Sequence, residues 1–260
     1  MLDELKHIAK FAGKLLKIRF FEIQINRIKL EIEEKAKADF VTAVDVEIEE
    51  YIREKLRQKF PEIHVIGEEG KNKEKTEAYF LVDPIDGTRN FMRSNPHFAV
   101  NITYVENDEP VVGVTYDPMK NEMFSAQKGI GAFLNGEKIK VSNTNELSKS
   151  IVAIGLPYRG REFIDKQAEI YRSLFLEACA TRHTGSAALD LAYVACGRYD
   201  GFFEIYLSPW DVASGILMVK EAGGIVEPVF KENPLEGWLI ATNGVIHHKL
   251  RNIIHQIITD

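Results

Sequence analysis

Apolar residues recur every three or four positions over the first 20 residues, which is the spacing of one helical face. The positions are Leu2, Leu5, Ile8, Ala9, Ala12, Leu15 and Leu16. The same spacing returns further along the chain, at Ile48, Ile52, Leu56 and Phe60. We predict a first amphipathic helix that ends near Phe20 and a second that Pro61 terminates.

The segment between these two helices has a different pattern. Residues 21–34 alternate apolar and charged side chains, as in the sequence IKLEI at residues 28–32. This alternation favours an exposed strand or hairpin. Residues 35–39 follow with the sequence KAKAD, for which we predict a solvated, mobile loop.

Residues 98–141 carry the pattern of short strands separated by turns. The strands are predicted at residues 98–105, 110–116, 123–126 and 132–134. Lys128-Gly129 and Asn135-Gly136 are typical turn dipeptides between strands. This part of the chain therefore predicts a meander of antiparallel strands.

Beyond Ser150, short apolar runs alternate with segments of helical periodicity. Strands are predicted at residues 151–154, 178–182, 201–205, 224–226 and 239–241, and helices at 162–177, 186–196, 211–222 and from 245 onward. This alternation predicts a mixed α/β fold. No linker rich in glycine, proline or serine interrupts it, so we predict one domain over residues 1–260, with a soft subdomain boundary near residues 142–150.

The bulk composition is that of a soluble globular protein, with 45% hydrophobic and 28% charged residues. The net charge of -6 argues against nucleic-acid binding over the whole surface. Cys179 and Cys196 stand among apolar residues and are predicted to be buried thiols in a reducing compartment. The sequence has neither a signal peptide pattern nor a membrane-spanning apolar run. We predict a cytoplasmic protein without membrane or direct nucleic-acid partners.

The chemistry of the chain centres on residues 79–91. Residues 79–82 are apolar and predict a buried strand, which we expect to end at Asp83 because Pro84 cannot donate to a sheet ladder. Asp86 precedes a predicted short helix, near its N-cap, with free amides behind it. Two acids followed by free amides suit a divalent cation and a phosphate held side by side. The alternative is a tight turn with a capping aspartate.

Three more acids have a similar local context. Glu68 follows a predicted short strand at residues 64–67, while Asp45 and Asp211 stand at the starts of predicted helices. Ligands in α/β folds bind where strands end on one edge of a sheet. The alternative for Glu68 is a solvent-facing turn, and the alternative for Asp45 and Asp211 is a helix N-cap.

Electrostatics limits what could hold such acids together. Two carboxylates about 4 Å apart repel by roughly 4 kcal/mol at an effective dielectric constant of about 20. A cluster of four must therefore bind cations or retain protons at raised pKa values. Oxygen ligands without histidine or cysteine point to Mg²⁺, which binds alongside substrate phosphates.

Other hydrolytic chemistries fit the sequence less well. No glycine-rich loop ends in Gly-Lys-Ser/Thr. The acids of the central turn are three residues apart, whereas aspartyl-phosphate phosphatases place theirs two apart. Pro84 and Gly87 cannot supply the alternate oxygens of an EF-hand. The sequence Gly185-Ser186-Ala187 lacks the second glycine of a nucleophile elbow, so Ser186 is predicted to cap a helix.

Several blocks of the sequence together resemble the inositol monophosphatase family. The blocks are DFVTAVD at residues 39–45, GEE at 67–69, DPIDGTRNF at 83–91, WDVASG at 210–215 and EAGG at 221–224. They occur in the family's order, and the likeness extends from about Leu5 to Asn243. Two long signatures at suitable separation make this resemblance highly specific.

The resemblance implies a layered αβαβα sandwich and a Mg²⁺-dependent, lithium-sensitive phosphomonoesterase, commonly a homodimer. It implies two or three Mg²⁺ ions per site. Their ligands would be Glu68, Asp83, the carbonyl of Ile85, Asp86 and Asp211.

Roles in catalysis and substrate binding are also implied by the resemblance. Thr88 and Asp45 would orient the attacking water together with Glu68. The substrate-binding residues would be Gly87 and Thr88, whose amides hold the phosphate, with Asp86, and Gly185, Ser186, Ala187 and Glu204 towards the alcohol. Lys35 falls in the mobile loop that approaches the metals in the family.

The substrate is less well defined than the site. Residues 92–96, with the sequence MRSNP, depart from the short His-Gly turn common in the family. Asn90 is closer to inositol monophosphatases than to nucleotide bisphosphatases, and Glu204 favours a polyol. We predict that metal-activated water hydrolyses a small polyol phosphate, with myo-inositol 1-phosphate as the first candidate. The alternatives are a broader sugar phosphatase with fructose-1,6-bisphosphatase activity and, in another class, a regulatory protein that acts through partner proteins.

Overall fold

The computed structural model describes residues 1–25, 32–36, 39–70, 76–156 and 161–259. The α-helices of these residues are α1 (Leu2–Gln24), α2 (Ala43–Lys59), α3 (Thr88–Met92), α4 (Ile164–Glu177), α5 (Ala187–Ala195), α6 (Pro209–Glu221) and α7 (His247–Thr259). Short 3-10 helices lie at Leu147–Lys149, Arg161–Phe163 and Pro234–Glu236. None of these helices combines the length and the hydropathy that crossing a bilayer requires.

The strands form a hairpin and two larger sheets. The hairpin consists of β1 (Ile32–Ala36) and β2 (Asp39–Thr42). Sheet I contains, in spatial order, β3 (His64–Gly67), β4 (Ala78–Asp86), β5 (Ala99–Glu106), β6 (Glu109–Asp117), β7 (Glu122–Gln127), β8 (Gly131–Leu134) and β9 (Glu137–Lys138). Only β3 and β4 are parallel in it, so the predicted antiparallel meander is confirmed from β5 onward.

Sheet II is mixed, as the alternating pattern of the second half predicts. Its strands are β10 (Ile151–Ile154), β11 (Ala180–Arg182), β12 (Gly201–Glu204), β13 (Ile225–Pro228) and β14 (Leu239–Thr242). The order across the sheet is β11-β10-β12-β14-β13, with β10, β11 and β12 parallel to one another. Strand β14 runs antiparallel to both of its neighbours.

The helices and sheets stack as five layers. Helices α1 and α2 pack on one face of sheet I, α5 and α6 lie between the sheets, and α4 and α7 cover the outer side of sheet II. Neighbouring residues of a strand serve different layers, because strand side chains alternate in direction. On β12, Phe202 packs in the central layer and Phe203 packs in the outer one. The layered αβαβα sandwich implied by the family resemblance is confirmed.

The N-terminal segment departs from its prediction in two respects. Helix α1 continues past Phe20 to Gln24, so the strand or hairpin predicted from residue 21 is wrong for residues 21–24. The loop predicted at residues 35–39 is wrong in part, because Ile32–Ala36 pairs with Asp39–Thr42 through an irregular hairpin. Residues 26–31 and 37–38, on which parts of both predictions fall, lie outside the described residues.

The two cysteines occupy different environments. Cys179 is exposed, so the prediction that both thiols are buried is wrong for this residue. It lies between α4 and β11, and β11 is the edge strand of sheet II. Cys196 is partly covered at the end of α5, and burial raises the pKa of its thiol. Both thiols are free.

Candidate active site

Strand β4 carries the two central acids through a β-bulge. The pairing with β5 shifts register between Asp83 and Asp86, which leaves one extra residue on β4. Within the bulge, the amide of Ile85 donates to Asp83 Oδ1 at 2.9 Å. Pro84 is tolerated here because the ladder is already interrupted. The expectation that the strand ends at Asp83 is therefore wrong, since it runs to Asp86.

The bulge places two carboxylates beside a third from the first turn of α6. Asp83, Asp86 and Asp211 each bring a carboxylate oxygen within 4.8 Å of the other two. Asp83 is 1% exposed and Asp86 is 7% exposed, whereas Asp211 is half-buried. The convergence of acids expected from the sequence is thus present at the end of β4.

The burial and mutual repulsion of these carboxylates favour the binding of a cation. Burial raises the pKa of Asp83 well above its usual range, and the charges of Glu68, Asp86 and Asp211 raise it further. Burial also raises the pKa of Asp86 to about 6, although hydrogen bonds from the start of α5 lower it. A cation among these oxygens would favour their ionised forms, and a set of carboxylates without histidine or cysteine fits Mg²⁺.

Glu68 lies next to the cluster at the end of β3. Its amide donates to the carbonyl of Val82 on the neighbouring strand at 3.2 Å, which fixes the turn against β4. Its side chain is half-buried and lines the same cavity as the three aspartates. The solvent-facing alternative therefore does not describe this residue.

Asp45 and Asp211 occupy equivalent positions in two helices. Thr42 is the N-cap of α2 and Ser208 is the N-cap of α6, and each aspartate closes a capping box from the third helical position. One carboxylate oxygen accepts the amide of the cap, at 2.8 Å for Asp45 and 2.7 Å for Asp211. The alternative that these aspartates are themselves N-caps is wrong, because they support the caps and keep a second oxygen for other contacts.

The second oxygen of Asp45 contacts Thr88. Thr88 Oγ1 lies 3.1 Å from Asp45 Oδ1 and 3.0 Å from the carbonyl oxygen of Ile85. Because a hydroxyl has one proton, Thr88 donates to one of these acceptors at a time and keeps lone pairs for another donor. The structure thus brings together the threonine and the aspartate that the family resemblance pairs.

Asp86 connects the central turn to the second half of the chain. We expected it to cap α3, but the N-cap of α3 is Gly87, whose φ of 103° suits glycine. The Asp86 carboxylate instead accepts hydrogen bonds from the hydroxyl of Ser186 and, at 2.9 Å, from the amide of Ala188. Ser186 is the N-cap of α5, as predicted. One carboxylate therefore supports both the acid cluster and the start of a helix in the central layer.

A cavity of about 420 Å³ lies over the acid cluster. The predicted site residues in its lining are Glu68, Asp83, Ile85, Asp86, Gly87, Thr88, Gly185, Ser186, Ala187, Glu204 and Asp211. Asp45 is fully buried and reaches the site through Thr88. The side chain of Lys35 lies outside the described residues. Apart from these two, the structure gathers the predicted residues around one cavity.

Glu204 enters this cavity from the end of β12. A Cβ atom on Gly155 would lie 1.7 Å from Glu204 Cδ, so glycine leaves the room that this carboxylate occupies. Burial raises the pKa of Glu204 well above its usual range, and the charges of Asp190 and Asp211 add to the effect while Arg89 opposes it. The second sheet thus contributes its own carboxylate to the site.

Asn90 and Asp190 hold the wall of the cavity through hydrogen bonds that the sequence did not predict. Asn90 Nδ2 donates to the carbonyl oxygens of His97 at 2.8 Å and Thr184 at 2.9 Å. Thr184 Oγ1 in turn donates to Asp190 Oδ1 at 2.8 Å. Asp190 is the one charged residue of the apolar helix α5, and this isolated acid was the available signal. The contacts of Asn90 had no local signature, because they join distant segments.

The structure combines an αβαβα sandwich, carboxylates clustered at a strand end and a cavity lined by hydroxyls and amides. This combination fits a divalent cation held beside a phosphate ester. The chain belongs to the inositol monophosphatase family, whose model matches residues 2–259. Membership in this family supports phosphatase activity, and the family is generally metal-dependent.

Several relatives with different names have sequences similar to this one. The Escherichia coli K12 protein named Nus factor SuhB is 46% identical over 199 residues, which cover 76% of this chain and 74% of that protein. An Aquifex aeolicus protein named fructose-1,6-bisphosphatase/inositol-1-monophosphatase is 37% identical over 247 residues, covering 95% of this chain and 92% of the relative. The solved inositol monophosphatase of Anabaena is 38% identical, with a TM-score of 0.85 over 98% of this chain and 95% of its own.

Proposed function

We propose that this protein is a Mg²⁺-dependent phosphatase that hydrolyses the phosphomonoester of a small polyol, with myo-inositol 1-phosphate as the first candidate. The observation that carries this proposal is the cluster of Asp83, Asp86 and Asp211 at the cavity, in which the pKa values of Asp83 and Asp86 are raised. Family membership supports the phosphatase, the oxygen-only cluster supports the cation, and Glu204 supports a substrate with hydroxyl groups.

Two or three Mg²⁺ ions would be held by the carboxylates of Glu68, Asp83, Asp86 and Asp211 and by the carbonyl of Ile85. When bound, Mg²⁺ supplies positive charge that polarises the phosphoryl oxygens and lowers the pKa of water. The raised pKa values of the buried aspartates support this assignment, because a bound cation would supply the positive charge that stabilises their ionised forms.

The protein's own residues would position the nucleophile and the phosphate. Threonine is too weak a base to deprotonate water alone, so Thr88 contributes orientation, with Asp45 and Glu68 as carboxylate partners. The capping box of α2 fixes the direction of Asp45 and hence of the Thr88 hydroxyl. The amides of Gly87 and Thr88 would hold the phosphate, with Asp86 beside them.

The alcohol portion of the substrate would contact the opposite wall. Gly185, Ser186 and Ala187 line the cavity at the start of α5, and Glu204 enters from β12. A carboxylate is a strong acceptor for hydroxyl donors. This wall therefore favours a polyol over an apolar alcohol.

We expect Glu204→Gln to lower kcat/KM for myo-inositol 1-phosphate by about 10- to 100-fold, because a hydrogen bond to a carboxylate contributes roughly 1.5–3 kcal/mol. The main change should be a higher KM. Gly155→Ala should act in the same direction, since its Cβ would displace Glu204. The control substrate is 4-nitrophenyl phosphate, which has no hydroxyl group for Glu204 to bind. An equal loss on both substrates would contradict a polyol-binding role.

Phosphate release from a panel of esters tests the proposed substrate class. The panel contains myo-inositol 1-phosphate, fructose 1,6-bisphosphate, histidinol phosphate and adenosine 3′,5′-bisphosphate, each with and without Mg²⁺. We expect the highest kcat/KM for myo-inositol 1-phosphate. A clear preference for histidinol phosphate or the adenosine bisphosphate would overturn the polyol assignment.

A broader sugar phosphatase is the second enzymatic candidate, and the Aquifex aeolicus relative named fructose-1,6-bisphosphatase/inositol-1-monophosphatase favours it. Comparable kcat/KM values for fructose 1,6-bisphosphate and myo-inositol 1-phosphate would establish this dual activity. The cavity of about 420 Å³ leaves room for either ester.

A regulatory role through partner proteins is the candidate of another class. The relatives named Nus factor favour it. Retention of RNA polymerase factors from a lysate, together with negligible phosphate release, would support this role over the enzymatic one. The acid cluster favours the enzymatic role, because buried carboxylates that repel one another destabilise the fold and protein binding alone does not require them.

Three further properties belong to the proposal. A homodimer is expected from the family resemblance and is tested by sedimentation of the purified protein. Lithium sensitivity is tested by titrating LiCl against phosphate release at fixed Mg²⁺. A cytoplasmic location is tested by fractionation of the source cells.

A further inference from the structure

Helix α2 presents a column of three buried charged residues along one face. Asp45, Glu49 and Arg53 follow one another at intervals of four residues, which places them one above the other. Asp45 is fully buried, Glu49 is 2% exposed and the Arg53 side chain is 11% exposed. Buried charges are costly unless they are paired and hydrogen-bonded. The contacts of this column therefore indicate what it does for the fold.

The Glu49–Arg53 pair holds the turn that carries Glu68. Glu49 Oε1 accepts a hydrogen bond from Arg53 Nε at 2.7 Å, and Glu49 Oε2 accepts one from the amide of Glu69 at 2.8 Å. Arg53 Nη1 donates to the carbonyl of Val65 at 2.8 Å. The pair thus fixes the chain three residues before Glu68 and one residue after it.

Two glycines let the turn approach this ion pair. A Cβ on Gly67 would lie 2.4 Å from Glu49 Oε2, and a Cβ on Gly70 would lie 1.9 Å from Arg53 Nη2. Both distances are far below van der Waals contact. The backbone on each side of Glu68 therefore rests directly on Glu49 and Arg53.

We propose that Glu49 and Arg53 are positioning residues that set the direction of Glu68 and thereby the affinity of the site for its divalent cation. This inference rests on the proposed function, in which Glu68 is a metal ligand. The same helix face also carries Asp45, which contacts Thr88. One helix then orients both the Glu68 turn and Thr88.

The test compares Mg²⁺ binding in variants that change this pair, the turn that rests on it, or an exposed control position. Removal of Glu49 alone would leave the Arg53 charge buried, so the main variant is the double substitution E49Q/R53M, which removes both charges and keeps similar volume. Gly70→Ala is a second variant, which retains both charges and displaces the turn. Glu50→Gln is the control, because Glu50 is exposed on the same helix.

Calorimetric titration of the substrate-free proteins with MgCl₂ gives the Kd, and thermal melting without metal checks folding. We expect the Kd of the double variant to rise about 10- to 100-fold, the range for residues that orient metal ligands, with Gly70→Ala shifted in the same direction and Glu50→Gln unchanged. A merely structural pair would lower Tm without changing the Kd.

A wild-type Kd in both E49Q/R53M and Gly70→Ala would overturn the inference. The proposed function would then stand, provided that the wild type binds Mg²⁺ and releases phosphate. Absence of Mg²⁺ binding in the wild type would overturn the proposed function and this inference together, so the two failures are distinguishable.

Discussion

Asp83→Asn is expected to abolish Mg²⁺-dependent turnover while the protein remains folded. Asp83 is the most deeply buried member of the acid cluster. Burial raises the pKa of its carboxyl group, and the charges of the other acids of the site raise it further. Changes to residues that only orient metal ligands already cost roughly 10- to 100-fold, so loss of a ligand charge should exceed about 100-fold in kcat/KM. Asparagine keeps the shape and the oxygen that accepts the Ile85 amide.

The same substitution should stabilise the metal-free protein at neutral pH. The pKa of Asp83 is raised in the folded state. At a pH above the pKa of this group in the unfolded state, its ionisation therefore opposes folding. Stability therefore falls as pH rises through the folded pKa. Asp86 behaves in the same way: its pKa is raised from 3.8 to about 6, so its contribution to stability is lost between these two pH values. The Tm gain of the variant over wild type should grow as the pH rises from about 4 to neutrality.

Melting curves without metal and in excess Mg²⁺ check both parts of this prediction. Without metal, Asp83→Asn should melt above the wild type, and in Mg²⁺ the order should reverse because the wild type alone gains a full ligand set. Asp117→Asn is the matched control, since Asp117 is equally buried but forms an ion pair with Lys120 at 2.6 Å. Loss of this ion pair should lower Tm. Full turnover in Asp83→Asn, or a lower metal-free Tm, would contradict the account.

Thr88→Val is expected to lower kcat by about 100-fold or more, the scale of a positioned group that assists proton transfer. Valine keeps the branched shape of threonine and removes the hydroxyl that lies between Asp45 and the carbonyl of Ile85. Mg²⁺ affinity should change little, because the hydroxyl is not among the proposed ligands. The effect should therefore appear in kcat at saturating substrate and Mg²⁺.

Thr88→Ser provides the matched control for this prediction. Serine retains the hydroxyl, so most of the wild-type kcat should remain. Asp45→Asn should reduce kcat in the same way as Thr88→Val, because the amide no longer offers an ionised acceptor to the threonine. Wild-type kcat in Thr88→Val would remove Thr88 from the proposed catalytic set.

Local patterns in the sequence predicted most of the elements. Helix spacing at Ile48, Ile52 and Leu56 and the turns after β7 and β8 gave the right elements at nearly the right positions. The acids stood out because each follows a strand or opens a helix. Their convergence was predictable because the ends of neighbouring strands share one edge of a sheet.

The errors at the acid cluster arose where a contact partner is distant in the chain. Pro84 was expected to end a strand, but pairing with β5 accommodates it in a bulge that no local rule shows. Asp86 was expected to cap its own helix, whereas its partners Ser186 and Ala188 lie about a hundred residues away. The support of Glu69 by Glu49 likewise depends on how α2 packs against the turn. Local propensity carries no information about such tertiary contacts.

The most direct test of Mg²⁺-dependent phosphatase activity is phosphate release from myo-inositol 1-phosphate by purified protein, measured as Mg²⁺ is titrated into EDTA-treated wild type and Asp83→Asn. We expect no release from either protein before Mg²⁺ is added, saturable activation of the wild type, and no activation of the variant. Release that is independent of Mg²⁺, or equal activation of both proteins, would contradict this expectation.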